Sequence, residues 1–176
     1  MSDLHQNHFE LFGLPMQFAI NLDMLDQNYR RFQSEVHPDR FAAAPSADRL
    51  RSMQLATQAN EAYRTLKDPT ARARYLLKIN GIDSHHENNT AMPAEFLMLQ
   101  MEWRELIEDA SADRDIPALE KLLKKTQQEA KNLQEDLRTS LDENQQLDQA
   151  AETVRKLSFI DKVRGDIEHT IIKLED

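Results

Sequence analysis

Hydrophobic residues recur every three to four positions along most of the chain, which is the spacing of one helix face rather than of a strand. The first such stripe falls in residues 23–36 and consists of Leu25, Tyr29, Phe32 and Val36. The second falls in residues 47–66 and consists of Leu55, Ala59, Ala62 and Leu66. Pro38 ends the first helix, because proline has no backbone N–H and disfavours helical geometry in the preceding residue. The pattern therefore predicts a helical hairpin.

A shorter helix is predicted directly after this hairpin. Asp68 followed by Pro69 favours a helix start, since aspartate caps the first free N–H groups and proline suits the first helical position. Gly81 favours its end. A short apolar segment around Phe9 precedes the hairpin.

The second half predicts three further helices, over residues 94–111, 117–144 and 147–174. Each carries one apolar stripe, and three antiparallel helices that bury such stripes together form a bundle. Residues 81–93 are rich in Gly, Ser, His, Asn and Pro and have the composition of a linker. We therefore expect an all-α protein with a helical hairpin domain at 1–80, a linker at 81–93 and a three-helix bundle at 94–176.

Composition narrows the possible functions. The 176 residues contain no cysteine, which excludes disulfides and thiolate metal sites. The chain has no apolar run of membrane-spanning length and no secretory signal pattern, so we expect a cytoplasmic protein with no membrane partner.

The two halves of the sequence differ in net charge. Residues 1–80 hold 10 Lys and Arg against 9 Asp and Glu, whereas residues 81–176 hold 12 against 22. The acidic second half argues against a nucleic-acid partner, because phosphates bind basic surfaces.

His37-Pro38-Asp39 stands between the two hairpin helices. Tyr29, Arg30, Arg31 and Phe32 precede it, and Asn60 to Pro69, Arg72 and Tyr75 follow it. This ensemble resembles the J-domain family across residues 8 to about 80. The resemblance implies binding to the nucleotide-binding half of a DnaK-type chaperone and stimulation of its ATPase. It assigns the activating turn to His37, Pro38 and Asp39, and a basic surface to Arg30, Arg31 and Arg40.

The residue types of this turn suit partner binding without the resemblance. Pro38 fixes the backbone, and Asp39 can accept hydrogen bonds or pair with an arginine of a partner. Asp39 can alternatively cap a local turn. Asp26 and Glu35 dilute the basic charge of the preceding helix, which departs from many J-domains and suggests a specialised partner.

The second half resembles the C-terminal domain of the HscB family, in residues 96–105 and 154–162. That family is the J-domain co-chaperone of bacterial iron–sulfur cluster assembly. The resemblance implies a partner chaperone, HscA, and delivery to it of the scaffold protein IscU. Some relatives add an N-terminal metal site of four cysteines, which this sequence lacks.

A second apolar face is predicted on the helix from residue 94. Phe96, Leu99, Trp103, Leu106, Ile107 and Ala110 form the stripe that faces the bundle. Leu97, Met98 and Met101 fall on the opposite side among acidic residues, which suggests a partner surface. The alternative is packing against the hairpin domain or linker. Phe159 lies at the edge of its own stripe, so core packing and partner contact stay open. The resemblance implies a scaffold-binding face of Leu97, Met98, Met101, Glu102, Glu105 and Phe159.

Other functional patterns are weak. His85-His86-Glu87 lies in the linker, where convergent metal ligands are not expected. Three isolated glycines make no phosphate-binding loop, and no nucleophile has a recognisable setting. We expect no catalytic residues, cofactor or metal. Two alternatives remain: a general J-protein that recruits unfolded clients, and a small hydrolase with an acidic cleft.

Overall fold

The computed structural model describes residues 4–83 and 92–176, and every regular element in these ranges is helical. This confirms the all-α prediction. The chain divides into two compact units, Met1–Asn80 and Gly81–Asp176.

The first unit contains four α-helices and one 3₁₀ turn. In chain order these are α1 (His8–Leu11), α2 (Leu22–Val36), the 3₁₀ turn (Pro38–Phe41), α3 (Ser46–Lys67) and α4 (Pro69–Ile79). Helices α2 and α3 form the predicted hairpin, and α1 and α4 pack against α3. The fully buried large side chains of this unit are Phe9, Leu25, Leu66 and Leu77. Each contributes roughly 1.5–3 kcal/mol by leaving water.

Helix α4 begins as the sequence predicts. The Asp68 side chain accepts a hydrogen bond from the Ala71 N–H at 3.3 Å, and Pro69 occupies the first helical position. After α4, Gly81 has a φ of 83°, a left-handed conformation that glycine adopts without steric cost. The sequence favours Tyr75, Leu76 and Ile79 as the apolar positions of α4, but Leu77 is buried and Ile79 is exposed.

A buried arginine holds α4 to the rest of the unit. Arg72 donates a hydrogen bond from Nη1 to the Leu66 carbonyl at 2.7 Å, and its guanidinium carbon lies 4.8 Å from the centroid of the Phe18 ring. These contacts offset the cost of burying a charge. Tyr75, on the same helix, accepts a hydrogen bond from the His8 N–H and stacks on the His8 ring.

The second unit is the predicted three-helix bundle. It consists of α5 (Ala94–Ala112), α6 (Ile116–Arg138), a π-helical turn (Thr139–Glu143) and α7 (Leu147–Glu175). Phe96 packs on Phe159, and Arg114 reaches the carbonyl of Leu174. These two contacts show that α5 and α7 run in the same direction, with α6 returning between them. Its fully buried side chains include Leu119, Leu137, Leu157, Ile160 and Ile167.

The predicted stripes need three corrections. On α5 the buried residues are Phe96, Trp103 and Ala110, whereas Leu106 is 42 % exposed. Leu106 lies about 60° round the helix from Trp103, outside the narrow buried line. On α6 the periodicity favours Leu123 as a buried position, but Leu122 is buried and Leu123 is half-buried. On α7 the periodicity extends the buried stripe to Ile171 and Leu174, but both are only half-buried.

Helix α6 ends earlier than predicted. Its α-helical part stops at Arg138, and the backbone continues as the π-helical turn. Arg138 pairs with Glu135 at 2.7 Å and with Glu143 at 2.6 Å, so one guanidinium spans the change in helix type. These two carboxylates raise the pKa of Arg138 above its ordinary value.

Candidate functional site

The turn after α2 is shaped by His37 and Pro38. His37 has φ −56° and ψ 131°, the extended geometry expected before a proline. Its ring Nδ1 accepts a hydrogen bond from the Asp39 N–H at 3.2 Å, and its carbonyl accepts one from the Arg40 N–H at 3.0 Å. His37 therefore caps the 3₁₀ turn that carries the rest of the motif.

The Asp39 side chain faces solvent. It is 92 % exposed, and its Oδ2 lies 3.5 Å from the His37 Nδ1. A neutral ring that accepts the Asp39 N–H at Nδ1 cannot also donate there to the carboxylate. His37 thus caps the turn, and the Asp39 carboxylate is exposed to solvent.

The three arginines of the predicted basic surface lie in different settings. Arg30 and Arg31 are exposed on α2, and adjacent helix residues point about 100° apart. Arg40 donates a hydrogen bond from Nη1 to the Ser34 carbonyl at 3.1 Å, so it is held against the end of α2. The structure brings His37, Pro38, Asp39 and Arg40 together in one turn, with Arg30 and Arg31 on the helix before it.

A charged network joins α2 to α3 on the Arg30 side of α2. The Asp26 carboxylate accepts hydrogen bonds from Lys67 Nζ at 2.8 Å and from the Tyr63 hydroxyl at 2.8 Å. The Lys67 ammonium first, and the Tyr63 hydroxyl second, hold the pKa of Asp26 below its ordinary value. Tyr63 also stacks on Tyr29, with ring centroids 4.1 Å apart. Asp26 is therefore committed to this network in the hairpin.

The second candidate surface is the outward face of α5. Leu97, Met98 and Met101 are 46 %, 70 % and 65 % exposed, and Glu102 and Glu105 beside them are also exposed. Met98, Met101, Glu102 and Glu105 line one shallow depression on this helix. Among the described residues, those of this face expose apolar side chains to water, with acidic side chains around them.

Phe159 is held apart from the centre of that face. It is half-buried and packs edge-on against Phe96, with ring centroids 5.8 Å apart and an interplanar angle of 81°. Its remaining surface lines a groove between α5 and α7, with Arg104 and Lys162 nearby. Phe159 is thus partly a core residue and partly a surface residue.

One residue at the first site was missed by the sequence reasoning. Ser52, on α3, is 2 % exposed, and its hydroxyl donates a hydrogen bond to the carbonyl of Val36 at 2.5 Å. The only sequence signal is its position, three residues before Leu55 and seven before Ala59 on the buried stripe. A polar residue at a stripe position suggests a hydrogen bond but does not identify its acceptor.

Other kinds of site find no support within the described ranges. Residues 4–83 and 92–176 contain no group of three or more His, Asp or Glu that could hold a metal ion. No helix of these ranges is both long and apolar enough to cross a membrane. The weak motif His85-His86-Glu87 lies outside the described residues.

Comparison with known proteins agrees with the description of the hairpin unit and of the three-helix bundle. A family model described as the HSCB C-terminal oligomerisation domain matches residues 92–168. The chain is 52 % identical to the co-chaperone protein HscB homolog of Burkholderia multivorans over 176 residues, which cover 99 % of each chain. It is 50 % identical to that of Paraburkholderia xenovorans over the full length of both.

Solved structures have the same fold. The chaperone HscB from Vibrio cholerae superposes with a TM-score of 0.85 at 39 % identity, covering 96 % of this chain and 99 % of the other. The human co-chaperone HscB superposes with a TM-score of 0.89, covering 96 % of this chain and 83 % of the other. Its 24 % identity supports the fold alone.

The hairpin with its exposed His-Pro-Asp turn, followed by a helical bundle, defines a J-domain co-chaperone with a C-terminal domain. Identity of about half over the full length then fixes the family. The chain belongs to the HscB family, the J-domain co-chaperones of iron–sulfur cluster assembly.

Proposed function

We propose that this protein stimulates ATP hydrolysis by HscA, a DnaK-type chaperone, through the turn of His37, Pro38 and Asp39. The observation that supports this most directly is the open Asp39 carboxylate, 92 % exposed on a turn capped by His37. An exposed carboxylate on a hydrogen-bonded turn can form charge-assisted hydrogen bonds with a partner at a low ordering cost. Arg40 in the turn, and Arg30 and Arg31 on the preceding helix, add positive charge.

The outward face of α5 is the proposed binding site for IscU. Leu97, Met98 and Met101 supply exposed apolar surface, and Glu102 and Glu105 supply its acidic rim. Methionine side chains adapt to a partner's shape, and the acids favour a partner with basic residues around an apolar patch. Phe159 extends this surface along the groove between α5 and α7.

Each proposed site lies on its own part of the chain. We assign chaperone activation to residues 1–80 and scaffold binding to residues 94–176, with residues 81–93 as the linker. The protein then acts in the cytoplasm as an adaptor, with no active site, cofactor, metal or nucleic-acid partner of its own. Hydrolysis of ATP is carried out by the chaperone.

The test is the steady-state ATPase rate of purified HscA with IscU present, with and without this protein. We expect the wild-type protein to raise the rate and the His37→Gln variant to leave it at the basal level, because the variant loses the ring that caps and forms the turn. His169→Gln is the matched control, since His169 is an exposed histidine on α7. Full activity of His37→Gln, or no stimulation by the wild type, contradicts the proposal.

The same assay separates the alternatives. A general J-protein is stimulatory with unfolded apolar peptides in place of IscU, because the α5 face then binds any exposed hydrophobic segment. A hydrolase releases phosphate or another product when HscA is absent. The adaptor requires both HscA and the folded scaffold for full stimulation.

A further inference from the structure

The end of α2 leaves backbone carbonyls without their usual helical partners. In an α-helix each carbonyl accepts from the N–H four residues later, and the last four have no such donor. Pro38 would be the donor to the Ser34 carbonyl, but proline has no N–H. The Arg40 N–H, which would reach Val36 in a continuing helix, donates instead to the His37 carbonyl. The Ser34 and Val36 carbonyls therefore need other donors.

Two side chains supply these donors. Arg40 Nη1 lies 3.1 Å from the Ser34 carbonyl oxygen, and the Ser52 hydroxyl lies 2.5 Å from the Val36 carbonyl oxygen. Arg40 belongs to the turn itself, whereas Ser52 belongs to α3. The Ser52 bond thus ties the residue immediately before His37 to the opposite helix of the hairpin.

Burial makes the Ser52 contact the stronger tether. Ser52 is 2 % exposed, so water does not compete for the Val36 carbonyl, and removal of the hydroxyl leaves a buried acceptor unpaired. A side chain so buried is also out of reach of a partner protein. Any effect of Ser52 on chaperone activation has to pass through the position of the turn.

We infer that Ser52 is a positioning residue, which holds the Val36 carbonyl and thereby fixes the His37–Asp39 turn in the conformation that the chaperone binds. Arg40 supports the same geometry through Ser34. This inference deepens the proposed function and rests on it, because it takes the turn as the activating element.

The inference predicts that Ser52→Ala changes the concentration needed for ATPase stimulation but not the maximal rate. If the binding-competent turn is only partly populated, the apparent affinity falls by that fraction, while a saturating partner still selects the competent form. We expect Ser52→Ala to raise the concentration of this protein that gives half-maximal ATPase stimulation about threefold to fivefold, which corresponds to one hydrogen bond. The maximal rate is retained. His37→Gln, in contrast, abolishes the maximal rate.

Thr57→Ala is the matched control. Thr57 lies on α3, is exposed and donates its hydroxyl to the Met53 carbonyl of its own helix at 2.9 Å. This variant loses a hydroxyl-to-carbonyl hydrogen bond on the same helix that does not touch the turn. Its titration should superpose on that of the wild type.

Amide hydrogen exchange of the free protein supplies a measurement that needs no chaperone. In Ser52→Ala the Arg40 N–H should exchange several-fold faster, while amides in the middle of α3 keep their wild-type rates. Arg40→Ala, measured in the same way, should also loosen the turn. Three results would overturn the inference. These are an unchanged exchange rate of the Arg40 N–H, a uniform increase of the exchange rates throughout α3, and a Ser52→Ala titration identical to that of the wild type. If wild-type protein fails to stimulate HscA, the proposed function fails, and the exchange rates alone decide the role of Ser52.

Discussion

Asp26 shows how one side chain of the hairpin serves structure rather than partner binding. Its carboxylate accepts hydrogen bonds from Lys67 and Tyr63, both on α3. The hydrogen bonds from Lys67 and Tyr63 lower the pKa of Asp26. The same hydrogen bonds raise the pKa of Lys67 and of Tyr63. All three shifts favour the charge state that keeps the network intact at neutral pH.

The lowered pKa of Asp26 predicts a dependence of stability on pH. A carboxyl whose pKa is depressed by folding stabilises the native state above its unfolded pKa, and this contribution is lost as the pH falls through the folded pKa. We expect Asp26→Asn to lower the melting temperature by a few degrees at pH 7. The difference from wild type should shrink below pH ~4 and vanish in stronger acid.

Thermal unfolding followed by circular dichroism between pH 3 and pH 7 measures this difference. Glu35→Gln is the control, since Glu35 is an exposed acid on the same helix. A gap between wild type and Asp26→Asn that stays constant from pH 7 to pH 3 would show that the carboxylate charge does not stabilise the hairpin.

At the scale of the element, α5 carries two different faces. Its buried line of Phe96, Trp103 and Ala110 joins the bundle, and the opposite face of Leu97, Met98 and Met101 stays in water. Association with the other helices therefore does not account for the second apolar face.

Truncation of side chains on this face is predicted to weaken scaffold binding. We expect Leu97→Ala and Met101→Ala each to weaken binding of IscU at least tenfold, because truncation of a hot-spot residue near the centre of an interface costs ~2 kcal/mol or more. Isothermal titration calorimetry with purified IscU measures the affinity. Leu106→Ala is the control, since Leu106 is 42 % exposed on the same helix but lies off the face. Equal weakening by Leu106→Ala would point to a general effect on α5.

The elements also show what the sequence can predict. The helix start at Pro69 follows from the Asp68 cap, and the starts at Ala94 and Leu147 follow from periodicity; both signals are local. The π-helical turn after α6 does not, because Leu137 and Leu141 keep helical spacing across the change in helix type. The Ser52 tether is not predicted for a different reason: its acceptor lies 16 residues away and becomes a neighbour only when the hairpin closes. Local patterns predict elements, whereas pairings between elements need the fold.

At the scale of the whole molecule, the two units differ in charge as well as in proposed partner. Residues 1–80 are nearly neutral, while residues 81–176 carry the acidic excess. On the proposed function, one chain carries both binding sites, which raises the local concentration of the scaffold at the chaperone to about the millimolar range.

Separation of the units should remove that advantage. We expect residues 1–83 and 92–176, mixed as separate chains at about 1 µM, to lose the IscU-dependent part of the stimulation, since this concentration lies far below the effective concentration within one chain. The HscA ATPase assay with and without IscU measures it. Circular dichroism first establishes that each fragment is helical, and stimulation by the mixture equal to that of the intact chain would contradict the adaptor model.

The exposed apolar face of α5 has a thermodynamic consequence. Leu97, Met98 and Met101 expose apolar surface to water in the free protein, and a partner that covers them removes this surface from water. The complex therefore has a lower heat capacity than the separated proteins, and the enthalpy of association becomes more favourable as the temperature rises. Warming then changes how the free energy of binding is divided between enthalpy and entropy far more than it changes the affinity itself.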